Sequence, residues 1–66
     1  MMFLRLTNAN TGKISLYNLA HVDEISPHPD GGSILWSTKA GIRCWNVREP
    51  LEKIEQLFFD IGMMKK

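Results

Sequence analysis

The apolar positions come in short alternating stretches and then change to a helical period. Residues 2–7, with Phe3, Leu4 and Leu6, predict a first strand apolar enough to be largely buried. Residues 8–12 are a turn cluster of Asn, Thr and Gly. Residues 13–17 alternate, and the spacing puts Ile14 and Leu16 together on a core-facing side of a hairpin with the first strand. Asn18 suits the N-cap of one helical turn, with Leu19 and Val22 pointing inward. Residues 22–26 then predict a short strand that carries Ile25 into the core. Two prolines and two glycines make residues 27–32 an exposed loop.

A second hairpin is predicted from residues 33–38 and 42–47 around Lys39-Ala40-Gly41, with Gly41 left-handed. That turn pairs Thr38 with Ile42, Trp36 with Cys44 and Leu35 with Trp45. One face then carries Ile34, Trp36, Ile42 and Cys44, and is expected to meet the helix. The other carries Leu35, Trp45 and Val47 among Ser33, Ser37 and Arg43, and is expected to point away. A one-residue slip would exchange the two sets. From residue 50 to 61 the period becomes helical: Leu51, Ile54, Leu57, Phe58 and Ile61 form one stripe. Pro50 suits the helix start, Glu49 and Glu52 its positive end, and Gly62 its stop. The expected fold is α+β: a small antiparallel β-sheet of about four strands, order β-β-β-β-α, with one C-terminal helix packed on one face and a tail at 62–66.

Sixty-six residues make one domain, 1–66. A chain this short buries only about 60% of the surface its unfolded form exposes. A protein partner, or a second copy of the chain in a homodimer, would supply part of its stability. Eight Lys and Arg against seven Asp and Glu leave a formal charge of +1. That balance makes no strong field for nucleic acid or anionic lipid. The lone Cys44 argues against a disulfide framework, favours a reducing cytoplasmic setting and reads as a packed apolar side chain. No signal peptide is legible, and no apolar run approaches the ~18 residues of a membrane span.

The residues that carry chemistry are few. His21 and His28 are the only histidines, and neither has the spacing of a zinc site. Cys44 sits in a strand whose alternation turns Arg43 away from it, so nothing activates the thiol. Asp23 and Glu24 are adjacent and face opposite ways on a strand, a poor acid–base pair. No glycine loop suits a phosphate. Catalytic, cofactor and metal residues are therefore expected to be none. The notable feature is an apolar surplus. Leu35 and Trp45, with Arg43 and Val47 beside them, are the candidate partner-binding residues. The alternative is a compact nucleic-acid-binding module that uses Trp36, Trp45 and Tyr17 for stacking and Arg5, Lys13, Lys39, Arg43 and Arg48 for phosphates.

The spacing of Leu4-Arg-Leu-Thr7, Asn10-Thr-Gly12, Asn18 with Val22 and Ile25, the residue 34–47 hairpin and Glu49-Pro-Leu-Glu-Lys-Ile54 resembles the small flagellar FlbD/SwrD family over residues 3–58. The hairpin turn differs, with Lys39-Ala40-Gly41 where the family has Asn-Gly. The resemblance implies a non-enzymatic accessory factor of motility. A phage-encoded protein that binds a host factor fits the same size without a shared motif.

Overall fold

In the computed structural model, which describes residues 2–39 and 41–62, the chain has the expected α+β architecture. Its elements are β1 (Phe3–Thr7), β2 (Ile14–Asn18), a 3-10 turn (Leu19–His21), β3 (Glu24–Pro27), β4 (Ser33–Ser37), β5 (Arg43–Val47) and α1 (Leu51–Asp60). Among the described residues there are five strands rather than about four, and they form two antiparallel sheets, β1-β2 and β3-β4-β5. The two meet where Asn8 bridges Val47: Arg48 N–H donates to the Thr7 carbonyl at 2.9 Å and Ala9 N–H to the Asn46 carbonyl at 2.9 Å. The join is short, so the β1-β2 ribbon is free to turn over the inner face of the larger sheet.

Each hairpin follows from its turn chemistry. Between β1 and β2 the Asn8 side chain accepts the Asn10 and Thr11 N–H groups, and Gly12 takes φ +73°. Residues 27–32 are tighter than the expected loop. Pro27 ends β3, Gly31 N–H returns to the His28 carbonyl and His28 N–H to the Gly32 carbonyl, which leaves a three-residue turn with Gly31 at φ +99°. His28 Nδ1 accepts the Asp30 N–H at 3.0 Å. The Asp30 carboxylate also lies 3.6 Å from that nitrogen.

The β4-β5 register is the expected one, with Trp36 opposite Cys44 and Leu35 opposite Trp45. The facing is reversed. Leu35 and Val47 are fully buried and form the core with Leu4, Leu6 and Ile54, while Trp45 packs against them half-buried. Ile42 and Cys44 are exposed, and Ile34 and Trp36 are half-buried on the outer face, where Trp36 Nε1 donates to Ser26 Oγ at 3.0 Å. Cys44 is therefore an exposed free thiol and not a packed side chain. Both faces of this hairpin carry apolar residues, so periodicity alone did not choose between them. The helix and the ribbon cover the face of Leu35 and Val47, and its serines are accommodated there. Ser33 is buried because its hydroxyl donates to the Glu49 carbonyl at 2.7 Å, so a polar residue is satisfied inside the core face.

The same reversal occurs in the ribbon. Leu4 and Leu6 face the core, and their partners Tyr17 and Ser15 share that side. Ile14 and Leu16, expected in the core, pair with Thr7 and Arg5 on the outer side.

The helix starts after Pro50, whose carbonyl accepts the Lys53 and Ile54 N–H groups. Gly62 closes it at φ +77° with a bond from its N–H to the Phe59 carbonyl. Ile54 is buried, Leu51, Leu57 and Phe58 are partly so, and Ile61 is exposed. Glu49 has a further role at the helix start. Its carboxylate takes the Thr7 N–H on both oxygens, at 2.9 and 3.0 Å, and the Thr7 hydroxyl at 2.9 Å, clasping the end of β1 to the helix start. Met63, Met64, Lys65 and Lys66 of the expected tail lie outside the described residues.

A second carboxylate ties the other end of the sheet. Asp23 Oδ2 accepts both the Thr38 hydroxyl and, at 2.7 Å, the Thr38 N–H. These two bonds, with a smaller contribution from Lys39, hold the Asp23 carboxyl below its ordinary value of 3.8. A depressed folded value means the tie contributes in full above pH 3.8 and is lost as pH falls through the lower folded value. The Thr38 amide resonance should therefore titrate with a midpoint below 3.8; a midpoint at or above it would show the tie absent in solution.

Candidate functional site

Two surfaces stand out, one apolar and one cationic. The apolar one is the outer face of the β1-β2 ribbon. Phe3, Ile14 and Leu16 are 48%, 56% and 66% exposed there, with Arg5 between them. They are large side chains on two paired strands, so they form a contiguous patch instead of scattered single exposures. β2 is also an edge strand. The Asn8 N–H to Lys13 carbonyl bond and the Leu19 N–H to Met2 carbonyl bond fix the alternation. Lys13, Ser15 and Tyr17 direct their backbone groups at β1, and Ile14, Leu16 and Asn18 direct theirs outward.

The cationic surface is a cleft of about 430 Å³ between β2, the 3-10 turn and the β4-β5 hairpin. Its walls include Tyr17 and Trp45, and its basic residues are His21, Lys39 and Arg43. Asn18 places His21 there: its side chain accepts the Ala20 N–H at 3.0 Å and starts the turn that swings His21 back. Lys39 Nζ donates to the Ala20 carbonyl at 2.7 Å, which fixes the ammonium at the rim. Among the described residues, no Asp or Glu lines this cleft. The Tyr17 hydroxyl is out of water and has no partner among the described residues. An unsatisfied buried hydroxyl costs about 1–3 kcal/mol.

A second cleft, about 440 Å³, runs between α1 and β3 on an apolar floor of Val22, Ile25, Ile54 and Phe58, with Asp23, Glu24 and Glu55 at its rim. The two clefts meet at Val22 and carry opposite charge.

The candidate partner-binding residues are thus divided. Leu35 and Val47 are core and offer nothing to a partner in the folded chain. Trp45 and Arg43 come together in the cationic cleft. Tyr17 and Lys39 lie far apart in the sequence, and the path of the 3-10 turn is what gathers them with His21. The outer-face patch corrects the sequence expectation, which places Ile14 and Leu16 in the core. Among the described residues, no three His, Cys, Asp or Glu side chains converge as a metal site, and no helix is long and apolar enough to cross a membrane. The chain matches no family model, no curated protein and no solved structure.

Proposed function

We propose that this protein is a non-enzymatic accessory factor that works by docking another protein, or a second copy of itself, on the outer face of the β1-β2 ribbon. The observation that carries the reading is the patch of Phe3, Ile14 and Leu16, left in water beside an open strand edge. Removing such area from water is favourable by roughly 25 cal/mol per Å². The unpaired backbone of β2 would add directional hydrogen bonds to a partner presented as an extended strand. The FlbD/SwrD resemblance over residues 3–58 supports a motility-type factor, and a phage-encoded binder of a host factor uses the same surface chemistry.

The test is a charge placed in the patch. Ile14→Arg should shift the urea midpoint little, since an exposed substitution changes stability by about 0.5 kcal/mol or less. A photo-crosslinker at position 14 should capture a discrete protein, or a second copy, that one at the helix position Lys53 does not. Ile14→Arg should abolish that adduct when the crosslinker is moved to position 3. Equal capture at positions 14 and 53, or an adduct indifferent to Ile14→Arg, would refute the reading.

A further inference from the structure

The cationic cleft is not used by the docking face, and its chemistry is of another kind. Two aromatic rings, Tyr17 and Trp45, stand with three basic side chains, His21, Lys39 and Arg43, and, among the described residues, without a lining carboxylate. In a chain of net charge +1 such segregation selects a ligand. The rings favour a flat π-system, because stacking tolerates any base. The cations favour an anion, and a guanidinium fits phosphate oxygens two at a time.

The partners of each group sharpen the assignment. Lys39 spends one donor on the Ala20 carbonyl and keeps two. Asp23 lies near Lys39 and offsets part of its charge, although its Oδ2 is taken by Thr38. Arg43 forms no ion pair among the described residues, so it is the better phosphate partner. Ser37 and Asn18 add polar groups to the wall. A volume of about 430 Å³ falls within the roughly 300–1,000 Å³ usual for small-molecule sites. We propose that the cleft between β2 and β5 binds a nucleoside phosphate, its base against Tyr17 and Trp45 and its phosphate beside Arg43 and Lys39. The ligand is either a free nucleotide or one nucleotide of an unpaired strand.

The proposal stands apart from the docking face, because Phe3 and Ile14 lie outside the cleft lining; Leu16 belongs to both surfaces and is left unaltered. Trp45 is its reporter. In a Trp36→Phe background it is the only tryptophan, so its fluorescence reads the cleft alone. The probes are uridine monophosphate, uridine, inorganic phosphate and a dodecathymidylate strand. Uridine monophosphate should quench Trp45 saturably, and uridine and phosphate should each bind about tenfold more weakly or worse, since each lacks half the recognised chemistry. Arg43→Ala should weaken the nucleotide about tenfold, with circular dichroism unchanged. Saturation-transfer NMR on the unaltered protein repeats the measurement should Trp36→Phe fold poorly. An oligonucleotide that binds at least tenfold tighter, with steep loss in salt, identifies the strand as the source. Equal affinity identifies the free nucleotide. No saturable binding by any probe, phosphate alone binding as well as the nucleotide, or an Arg43→Ala variant that binds normally would overturn the proposal.

Discussion

Gly32→Ala should unfold this protein or bring it close to unfolding. A Cβ built on Gly32 would lie 2.1 Å from the Val47 carbonyl oxygen and 3.2 Å from its carbon. Those are backbone atoms of a paired strand, so no side-chain rotation relieves the contact. Ser33 pairs with Val47, and the Ser33 hydroxyl is held by the Glu49 carbonyl, which pins both sides of the approach. Relief therefore requires β4 and β5 to separate at the point where β1 joins them. Overpacking a core typically costs about 1–3 kcal/mol, and a backbone clash of this depth belongs above that range. A chain of this length has roughly 3–10 kcal/mol in total. Gly31→Ala is the matched control. Gly31 sits at φ +99° with nothing within 4 Å of its Cβ position, so it suffers backbone strain of about 1–3 kcal/mol and no collision. Urea unfolding of the two variants decides the matter. A Gly32→Ala midpoint at or above that of Gly31→Ala would mean the close approach does not exist in solution.

The contrast between these neighbouring glycines also shows what a sequence holds and what it hides. Asp30-Gly31-Gly32 announces a turn, because glycine tolerates positive φ and Pro29 presets its own. Nothing local says that the second glycine is needed for a strand fifteen residues away. Pairing was legible for a similar local reason. Lys39-Ala40-Gly41 sets the length of the turn, and turn length sets the register, so Leu35 opposite Trp45 followed directly. Facing is a different matter. It depends on which side of the sheet the helix and the ribbon cover, and both sides of β4-β5 are apolar enough to be chosen. Ser33 and Ser37 made the true core face look wet, yet both are buried, Ser33 through a hydrogen bond to a backbone carbonyl that no pattern predicts.

The two candidate surfaces were legible to different degrees for the same reason. Trp45 and Arg43 are two apart on β5, so alternation alone puts them on one side. Tyr17 and His21 reach that side through the packing of the ribbon on the larger sheet, a non-local event. Ile14 and Leu16 alternate cleanly enough to suggest burial, but the ribbon has another inward row in Leu4, Leu6 and Tyr17. With one helix and a thin core, only one row could be covered, and the second became the exposed patch.

Ile54→Ala should cost about 2–5 kcal/mol, the range for truncating a buried isoleucine or leucine. Ile54 is 1% exposed and belongs to the cluster with Leu4, Leu6, Leu35 and Val47, so it joins the helix to both sheets at once. It is the only helix residue in that fully buried set; Leu57 and Phe58 pack around it half-covered. Alanine is the better helix former by some tenths of a kcal/mol, which offsets little of the lost burial. The sequence stripe puts Ile61 on a par with Ile54, but Ile61 is 44% exposed at the helix end. Ile61→Ala should therefore stay within about 0.5 kcal/mol of the parent. Chemical denaturation with an unchanged m-value would report both. Because the helix reaches the β1-β2 ribbon through the core around Ile54, the variant should also loosen the ribbon, read as faster amide exchange at Leu4 and Leu6 than in the Ile61→Ala protein. Equal midpoints for the two substitutions would show that the helix is held by its flanks, and that the ribbon and the larger sheet fold without it.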